Sequence, residues 1–541
     1  MFQNIRYLLS LSIMGAFLFT CSPSKSTKSK LGSKSSQKIF KFGNGSEPTD
    51  LDPHVVTGVP EHHIISALFE GLVAPHPKTL KPMPAAAESW TISDDLMVYT
   101  FKINPQAKWS NGDAVTAHDF EFSWKRILTP TLASEYAYML YPVKGAEAYN
   151  KNKTQDFSTV LAKAVDAQTF KVTLKAPTPY FLSMLFHYSS WPVHPKTIAK
   201  FGAEKKRGTQ WTRPANIVTN GPFTLKTWEL NKVLTVVKNP NYWNASIVKL
   251  DGVNFYPVDD NGAEERMFRN GELHVTSTLP VHKIPFYQKK KDPRLNISPY
   301  LGTYYYRFNV KKAPLNNPKV REALNLSIDR SLITKHVTKA GEMPSFTFTP
   351  PNTAGYTSRY QISKNNLEKA KALLAEAGFK DGVNFPKLTL LYNTQDNHKK
   401  IAEAIQQMWK KNLGIDIELN NQEWKVYLSS VKKGDFDIAR AGWIGDYSDP
   451  NTFLDMFVTD GGNNQTGWSN KDYDSLIAKA AMTQSTSDRL ALFNNAEEIL
   501  LTELPIMPIY TYTSKYLKSE SVVGWESNIL DVHPFQHIDL K

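Results

Sequence analysis

Apolar and polar positions alternate in short runs along much of the chain, and other stretches repeat with helical spacing. Residues 99–103 (YTFKI) and 170–174 (FKVTL) alternate with the period of half-buried strands. Residues 233–237 (VLTVV) predict a more deeply buried strand. The segment 363–419 is the most regular. Ser363 or Asn365 stands where a cap would precede a helix whose apolar face is Leu367, Ala370, Leu373, Leu374 and Ala377, and Gly378 stops it. A strand follows over 388–392. Ile401, Ala402, Ile405, Met408, Trp409 and Leu413 then recur at helical spacing up to Gly414, and Ile415, Ile417 and Leu419 alternate as a strand. Strand, helix and strand in that order predict a βαβ unit, so an α/β fold with a parallel pair. Crevices at the strand ends of such sheets are common ligand sites.

The longest apolar run, residues 7–19 (YLLSLSIMGAFLF), follows Arg6. It is short of the ~20 residues that span a bilayer and reads as the h-region of a signal peptide covering 1–20. Cys21, the only cysteine, comes directly after it. Cleavage there would expose Cys21 for lipidation on its thiol. Leu18 fits a bacterial lipobox, whereas Phe19 and Thr20 are bulkier than its usual small pair. Residues 21–38 are rich in Ser and Lys and nearly free of apolar side chains, which predicts a flexible tether with lysines able to face anionic headgroups. One cysteine permits no disulfide within the chain.

At 541 residues the chain is too long for one ordinary core, and about two or three domains are expected. The net charge of +13 invites a nucleic-acid reading, but Arg6, Lys25, Lys28, Lys30, Lys34 and Lys38 supply six of those charges without one acid among residues 1–38. The remainder shows no basic helix and no RNA-type aromatic motif, so nucleic acid is not expected as a partner. Tyrosine (24) and tryptophan (12) are plentiful enough to supply a site that grips flexible polar ligands as well as the core.

Motifs of catalysis are missing. The chain has no G-x-S-x-G, H-E-x-x-H, P-loop or dinucleotide fingerprint. Ser22-Pro-Ser-Lys25 matches S-x-x-K only inside the tether. His62-His63 is adjacent, and neighbouring side chains diverge on either kind of element. Asp259-Asp260-Asn261-Gly262 resembles half a calcium loop without its later acid and reads as a polar turn. No enzyme activity, metal or cofactor is expected.

Several segments, in order and at matching spacing from about Asn44 onward, carry a family resemblance. They include Leu51-Asp52-Pro53-His54, Gly58-Val59-Pro60-Glu61, Leu68-Phe69-Glu70-Gly71-Leu72, Ala87-Glu88-Ser89-Trp90 and 108–120 (KWSNGDAVTAHDF). Further along come 218–223 (VTNGPF), Asn241-Tyr242-Trp243, 303–306 (TYYY), 421–425 (NQEWK) and 436–447 (FDIARAGWIGDY). Together they resemble the peptide/opine/nickel-binding family of extracytoplasmic solute-binding proteins. The resemblance implies a periplasmic-binding-protein-like fold of the class II, cluster C type. Lobe I would comprise 39–69, 196–301 and 514–541, an inserted domain 70–195, and lobe III 302–513, the lobes closing on a hinge. It implies a monomeric receptor, held at the membrane by lipidated Cys21 on the periplasmic or extracytoplasmic face. The receptor would pass short peptides of about two to five residues to an ABC permease.

Site residues follow from the same resemblance. Asp446 matches the aspartate that pairs with a peptide ammonium. Arg440 suits a carboxylate, Gly442 would meet the peptide main chain, and Trp443 lies between the two charges. Tyr136 matches a ligand contact from the inserted domain, and Val59 a backbone contact from lobe I. Tyr305, Trp424 and Tyr512 match aromatic residues lining the site, and His398 a partner for the carboxylate of longer peptides. Four positions depart from the family's oligopeptide binders. Thr57 and Arg307 stand at Glu positions, Thr338 at a Lys position and Val431 at an Arg position. The first two changes predict weaker preference for lysine-containing peptides and more tolerance of acidic ones. Alternatives are a receptor for the cell-wall tripeptide, a binder of nickel or haem on the same fold, and a peptidase.

Overall fold

The computed structural model describes residues 37–541, so the signal peptide, Cys21 and nearly all of the tether lie outside the described residues. Three sheets organise the rest. The first is four-stranded. Ile39–Gly45 runs parallel to Gly252–Pro257, which continues antiparallel through Val233–Lys238 to Phe223–Glu229. Phe40, Phe42 and Phe255 on this sheet are buried with Trp525 and Phe535, so the first and last segments of the described residues share one core.

The second sheet is an antiparallel meander in the order Ala87–Ile92, Val98–Ile103, Thr169–Thr173, Ala162–Asp166. Helix Ala117–Leu128 covers it with Phe120, Trp124 and Ile127, all fully buried, and Trp124 meets Phe170 edge-on at 5.1 Å. Thr116 and Asp119 form a capping box at its start. Arg126 leaves its far end to pair with Asp52 at 2.6 Å; both side chains are 1% exposed.

The third sheet has six strands, in the order Met343–Pro344, Ile506–Leu517, Leu295–Phe308, Ile438–Ile444, Leu388–Asn393, Ile417–Gln422. The last two form the expected parallel βαβ unit around helix Asp396–Leu413. Ile401, Ala402, Ile405, Trp409 and Leu413 are buried as the spacing predicts, while Met408 sits at the margin. Gly414 ends the helix at φ 70°, a conformation cheap only for glycine. The preceding helix, Leu367–Glu376, is capped by Asn366, not by Ser363 or Asn365, because the Asn366 side chain accepts from the Lys369 N–H at 3.1 Å. The polar turn expected at 259–262 starts a helix instead: Asp260 accepts from the Ala263 N–H at 2.6 Å and caps Asn261–Arg269.

Two long antiparallel strands, Leu295–Phe308 and Ile506–Leu517, run through the middle of the molecule. Their register breaks between the pairs Pro299–Thr513 and Thr303–Thr511. No helix of the described residues is long and apolar enough to cross a membrane.

Candidate functional site

A cavity of about 450 Å³ lies where the three sheets' attachments converge. One wall is the start of helix Val59–Leu68 and the turn before it, with Thr57, Val59 and His62. A second comes from loops of the meander region, with Tyr136, His187 and Tyr188. The third is the edge of the six-stranded sheet.

That edge is open for a physical reason. Strand Ile438–Ile444 pairs along its whole length with Leu295–Phe308 on one side. On the other side only Ile438 and Ala439 find partners, on Leu388–Asn393. The Gly445 N–H donates to the Leu301 carbonyl on the paired side, and the Arg440 carbonyl accepts from the Tyr427 hydroxyl. Strand backbone groups alternate sides, so the N–H and C=O of Gly442 face the open edge. A Cβ at Gly442 would lie 2.4 Å from the Tyr512 hydroxyl and 3.1 Å from Arg440 Nη2, so glycine is needed for close packing rather than for its φ.

Charges flank this edge. The Asp446 side chain is 10% exposed; its Oδ1 is 3.6 Å from His187 Nε2, and its Oδ2 has no hydrogen-bond partner. Burial pushes the Asp446 pKa up to about 8. Burial also holds His187 well below the usual histidine range, so the imidazole is neutral and gives Asp446 no counter-charge; without a cation from the ligand Asp446 holds its proton up to about pH 8. At the other end, Arg440 donates to Tyr512 Oη at 2.7 Å and Asn393 Oδ1 at 3.3 Å, and its guanidinium lies 4.8 Å over the Tyr304 ring. Its Nε has no partner, and no carboxylate of the described residues pairs with it.

The structure brings most of the expected residues to one place. Asp446, Arg440, Gly442, Trp443, Tyr136, Val59, His398, Trp424, Tyr512, Thr57, Arg307 and Val431 all line the cavity. Trp443 is held by its Nε1–H donating to the Thr452 carbonyl at 2.6 Å, with Tyr136 6.3 Å away. His398 lies in the first turn of Asp396–Leu413, buried, and burial with nearby Arg440 keeps it neutral.

Two expectations are corrected. Tyr305 does not line the cavity: strand alternation turns it into the core against Phe348, 5.2 Å away. Its hydroxyl accepts from Arg307 at 3.3 Å. Thr338 is also outside, with its hydroxyl donating to Glu342 at 2.8 Å. Glu342 in turn pairs with Lys515, a cavity residue the sequence reading missed. Lys515 sits in an alternating strand without a motif, and only the register of Ile506–Leu517 reveals it. Glu70 was read only as part of a motif. It faces the cavity too, holding Trp243 Nε1 at 2.7 Å and the Tyr242 hydroxyl, and burial pushes its pKa up to about 7. His62 and His63 are half-buried in helix Val59–Leu68, and desolvation lowers them to about 4 and about 3. Among the described residues no three His, Cys, Asp or Glu side chains converge as metal ligands.

Comparison with known proteins agrees with this architecture. The model for bacterial extracellular solute-binding proteins, family 5 (middle), matches residues 81–465. The periplasmic oligopeptide-binding protein OppA of Salmonella typhimurium is 39% identical over 506 residues, covering 92% of this chain and 91% of that protein. Among solved structures, the murein tripeptide binding protein MppA of Escherichia coli superposes with a TM-score of 0.89 at 36% identity, over 93% of this chain and 98% of that one. OppA of Haemophilus influenzae in complex with the peptide RPPGFSPFR gives 0.89 at 35% identity, over 93% and 99%. The unliganded open form of MppA gives only 0.62, over 93% and 97%, so the arrangement here is unlike that open one. With an α/β fold of this kind, a cavity between its parts and a family match over most of its length, the chain belongs to the bacterial extracellular solute-binding proteins, family 5.

Proposed function

We propose that the chain is the substrate-binding component of an ABC importer. It takes short peptides of about two to five residues and passes them on without chemistry. The observation that carries the proposal is the open strand edge with a largely buried carboxyl that has no cation at one end and a partly buried guanidinium that has no anion at the other. A charge is costly to bury without a partner, so a ligand that supplies both opposites lets Asp446 ionise and gives Arg440 its counter-ion. A peptide in its ionised form does so, with its ammonium on Asp446 and its carboxylate on Arg440. Six residue steps along the chain separate Arg440 from Asp446, ~20 Å at full extension. An extended peptide of three or four residues spans ~10–14 Å, and the side chains make up the difference. Its backbone adds to the sheet through Gly442, the recognition mode of strand addition. His398 offers an alternative station for the carboxylate of a longer peptide.

The names of the relatives support this reading, since OppA is described as oligopeptide-binding and MppA as murein tripeptide binding. In our reading the protein acts as a monomer on the outer face of a membrane, anchored through Cys21, and docks on a permease after closing. The hinge is the pair of strands Leu295–Phe308 and Ile506–Leu517 at their register break. The cell-wall tripeptide is the second reading, favoured by Arg307 in the cavity.

Mass spectrometry of material released by denaturing the purified protein tests the proposal. Mixed short peptides, recovered intact, are expected. One species of cell-wall tripeptide mass would select the second reading. A peptide library that neither co-purifies nor binds would refute both.

A further inference from the structure

Arg307 is 9% exposed and lines the cavity, yet it has no acidic partner among the described residues. Its guanidinium donates to Gln465 Oε1 and the Tyr305 hydroxyl and lies 5.8 Å from the Tyr305 ring centroid. Lys515, by contrast, is neutralised by Glu342. Of the acids lining the cavity, Glu70 is held by Tyr242 and Trp243, and Asp531 by His533 and Ser514. Asp446 keeps an oxygen without a partner, and the guanidiniums of Arg440 and Arg307 have no acid paired with them.

The two guanidiniums do not compete for one group. Across the antiparallel pair Tyr306 opposes Arg440 and Arg307 opposes Ala439. Directly opposed residues share a face and neighbours alternate, so Arg440 and Arg307 project from opposite faces of the sheet. Arg440 lies with Tyr304 and Tyr512, whereas Arg307 lies with Tyr305 and Gln465. Val431 packs with Ala439 on the Arg307 face and gives that side an apolar wall. A peptide added to the open edge sends successive side chains to alternate faces. One of them enters the Arg307 side while the terminal carboxylate meets Arg440.

We infer that the ligands are acidic peptides: Arg307 receives a side-chain carboxylate in a pocket separate from the one that holds the C-terminus. This rests on the peptide reading above and names the ligand class within it. The shared chemistry, an ammonium with two carboxylates, occurs both in ordinary peptides with Glu or Asp and in cell-wall peptides whose glutamate is joined through its side chain.

Isothermal titration of the ligand-stripped full chain decides it, with Ala-Ala-Ala, Ala-Xaa-Ala and Ala-Ala-Xaa-Ala, where Xaa is Glu, Gln or Lys. In at least one series Glu should bind about tenfold or more tighter than Gln, and Lys more weakly than Gln, as a charge-assisted bidentate contact requires. In Arg307→Gln the Glu-to-Gln ratio should collapse to within about threefold, and in Arg307→Lys part of it should remain. A γ-linked glutamyl peptide binding tighter than its α-linked isomer would identify the cell-wall source. The reverse order would identify ordinary acidic peptides. Glu no better than Gln in the parental chain, or a ratio unchanged in Arg307→Gln, overturns the assignment while leaving peptide binding intact. If Ala-Ala-Ala and every other peptide fail to bind, the peptide reading itself falls.

Discussion

In the proposed peptide complex Asp446 and Gly442 act on the ligand by different means, and substitution separates them. Asp446→Asn removes the charge that would meet an ammonium and keeps the shape. Loss of one partner of a buried charge pair costs about 2–5 kcal/mol, so peptide affinity should fall about thirtyfold or more by calorimetry. The empty protein should unfold at the same or a higher temperature, because the orphaned carboxylate is gone. A variant that loses stability and affinity together would make Asp446 structural. Gly442→Ala places a methyl 2.4 Å from the Tyr512 hydroxyl and pushes that ring off Arg440. Overpacking of this kind costs about 1–3 kcal/mol, and weaker peptide binding with a lowered unfolding midpoint is the expected result. A methyl accepted without either change would mean that the Tyr512 side moves freely. At this scale the sequence placed residues on the cavity best where one contiguous block lines it, as in 436–447. It was read worst in 303–306, where four consecutive strand residues alternate faces and nothing local says which face is the core. Tyr305 was assigned to the wrong one, and Arg307, two residues on, lies on that same face yet reaches the cavity.

Between elements, the buried pair Asp52–Arg126 ties the segment after the first strand to the far end of the helix over the meander. Asp52 accepts two guanidinium N–H groups at 2.9 and 2.6 Å and the Trp211 indole N–H at 3.2 Å. Burial alone would raise its pKa, but Arg126 overrides that and holds Asp52 below the usual carboxylate range. The stability the pair contributes is thus present above the ordinary carboxylate pKa and is lost as pH falls through the lowered folded value. Arg126→Leu leaves Asp52 buried and unpaired, at a cost of about 3–5 kcal/mol. Urea unfolding at pH 7 should show this, and the deficit should shrink toward pH 4, where Asp52 in the variant takes up a proton. A deficit below about 1 kcal/mol would reduce the pair to the worth of a surface contact. Local patterning made the βαβ unit legible because its strands and helix are consecutive and each shows its own period. The pairing of Leu295–Phe308 with Ile506–Leu517 was not legible, since about two hundred residues separate the partners and no turn between them fixes a register.

Over the whole molecule, contacts between segments far apart in sequence bridge the surroundings of the cavity. Glu135 on the meander side pairs with Lys432 on the opposite wall. Tyr180 stacks on Tyr447 at 5.3 Å, and Arg489, bound to Asp449 at 2.7 Å, lies 4.6 Å over the Tyr180 ring. In the proposed hinge closure the empty protein buries Asp446 as it is here, and this sets a pH dependence. In the closed form burial raises its pKa to about 8, whereas a solvated aspartate titrates near about 4. The closed form therefore binds the extra proton between those values, so acidification from above pH 8 favours closure of the empty protein. His187 and His398 work in the other direction. Both are held well below the usual histidine range by burial, so below about pH 6.5 they gain protons by opening. The radius of gyration of the empty protein, followed by small-angle scattering, should fall as pH drops from about 9 to about 7 and rise again in more acid solution. Asp446→Asn should abolish the first limb and keep the second. A radius that ignores pH, or a first limb that survives in Asp446→Asn, would show that closure is decided by contacts at the rim and not by the charge at the centre.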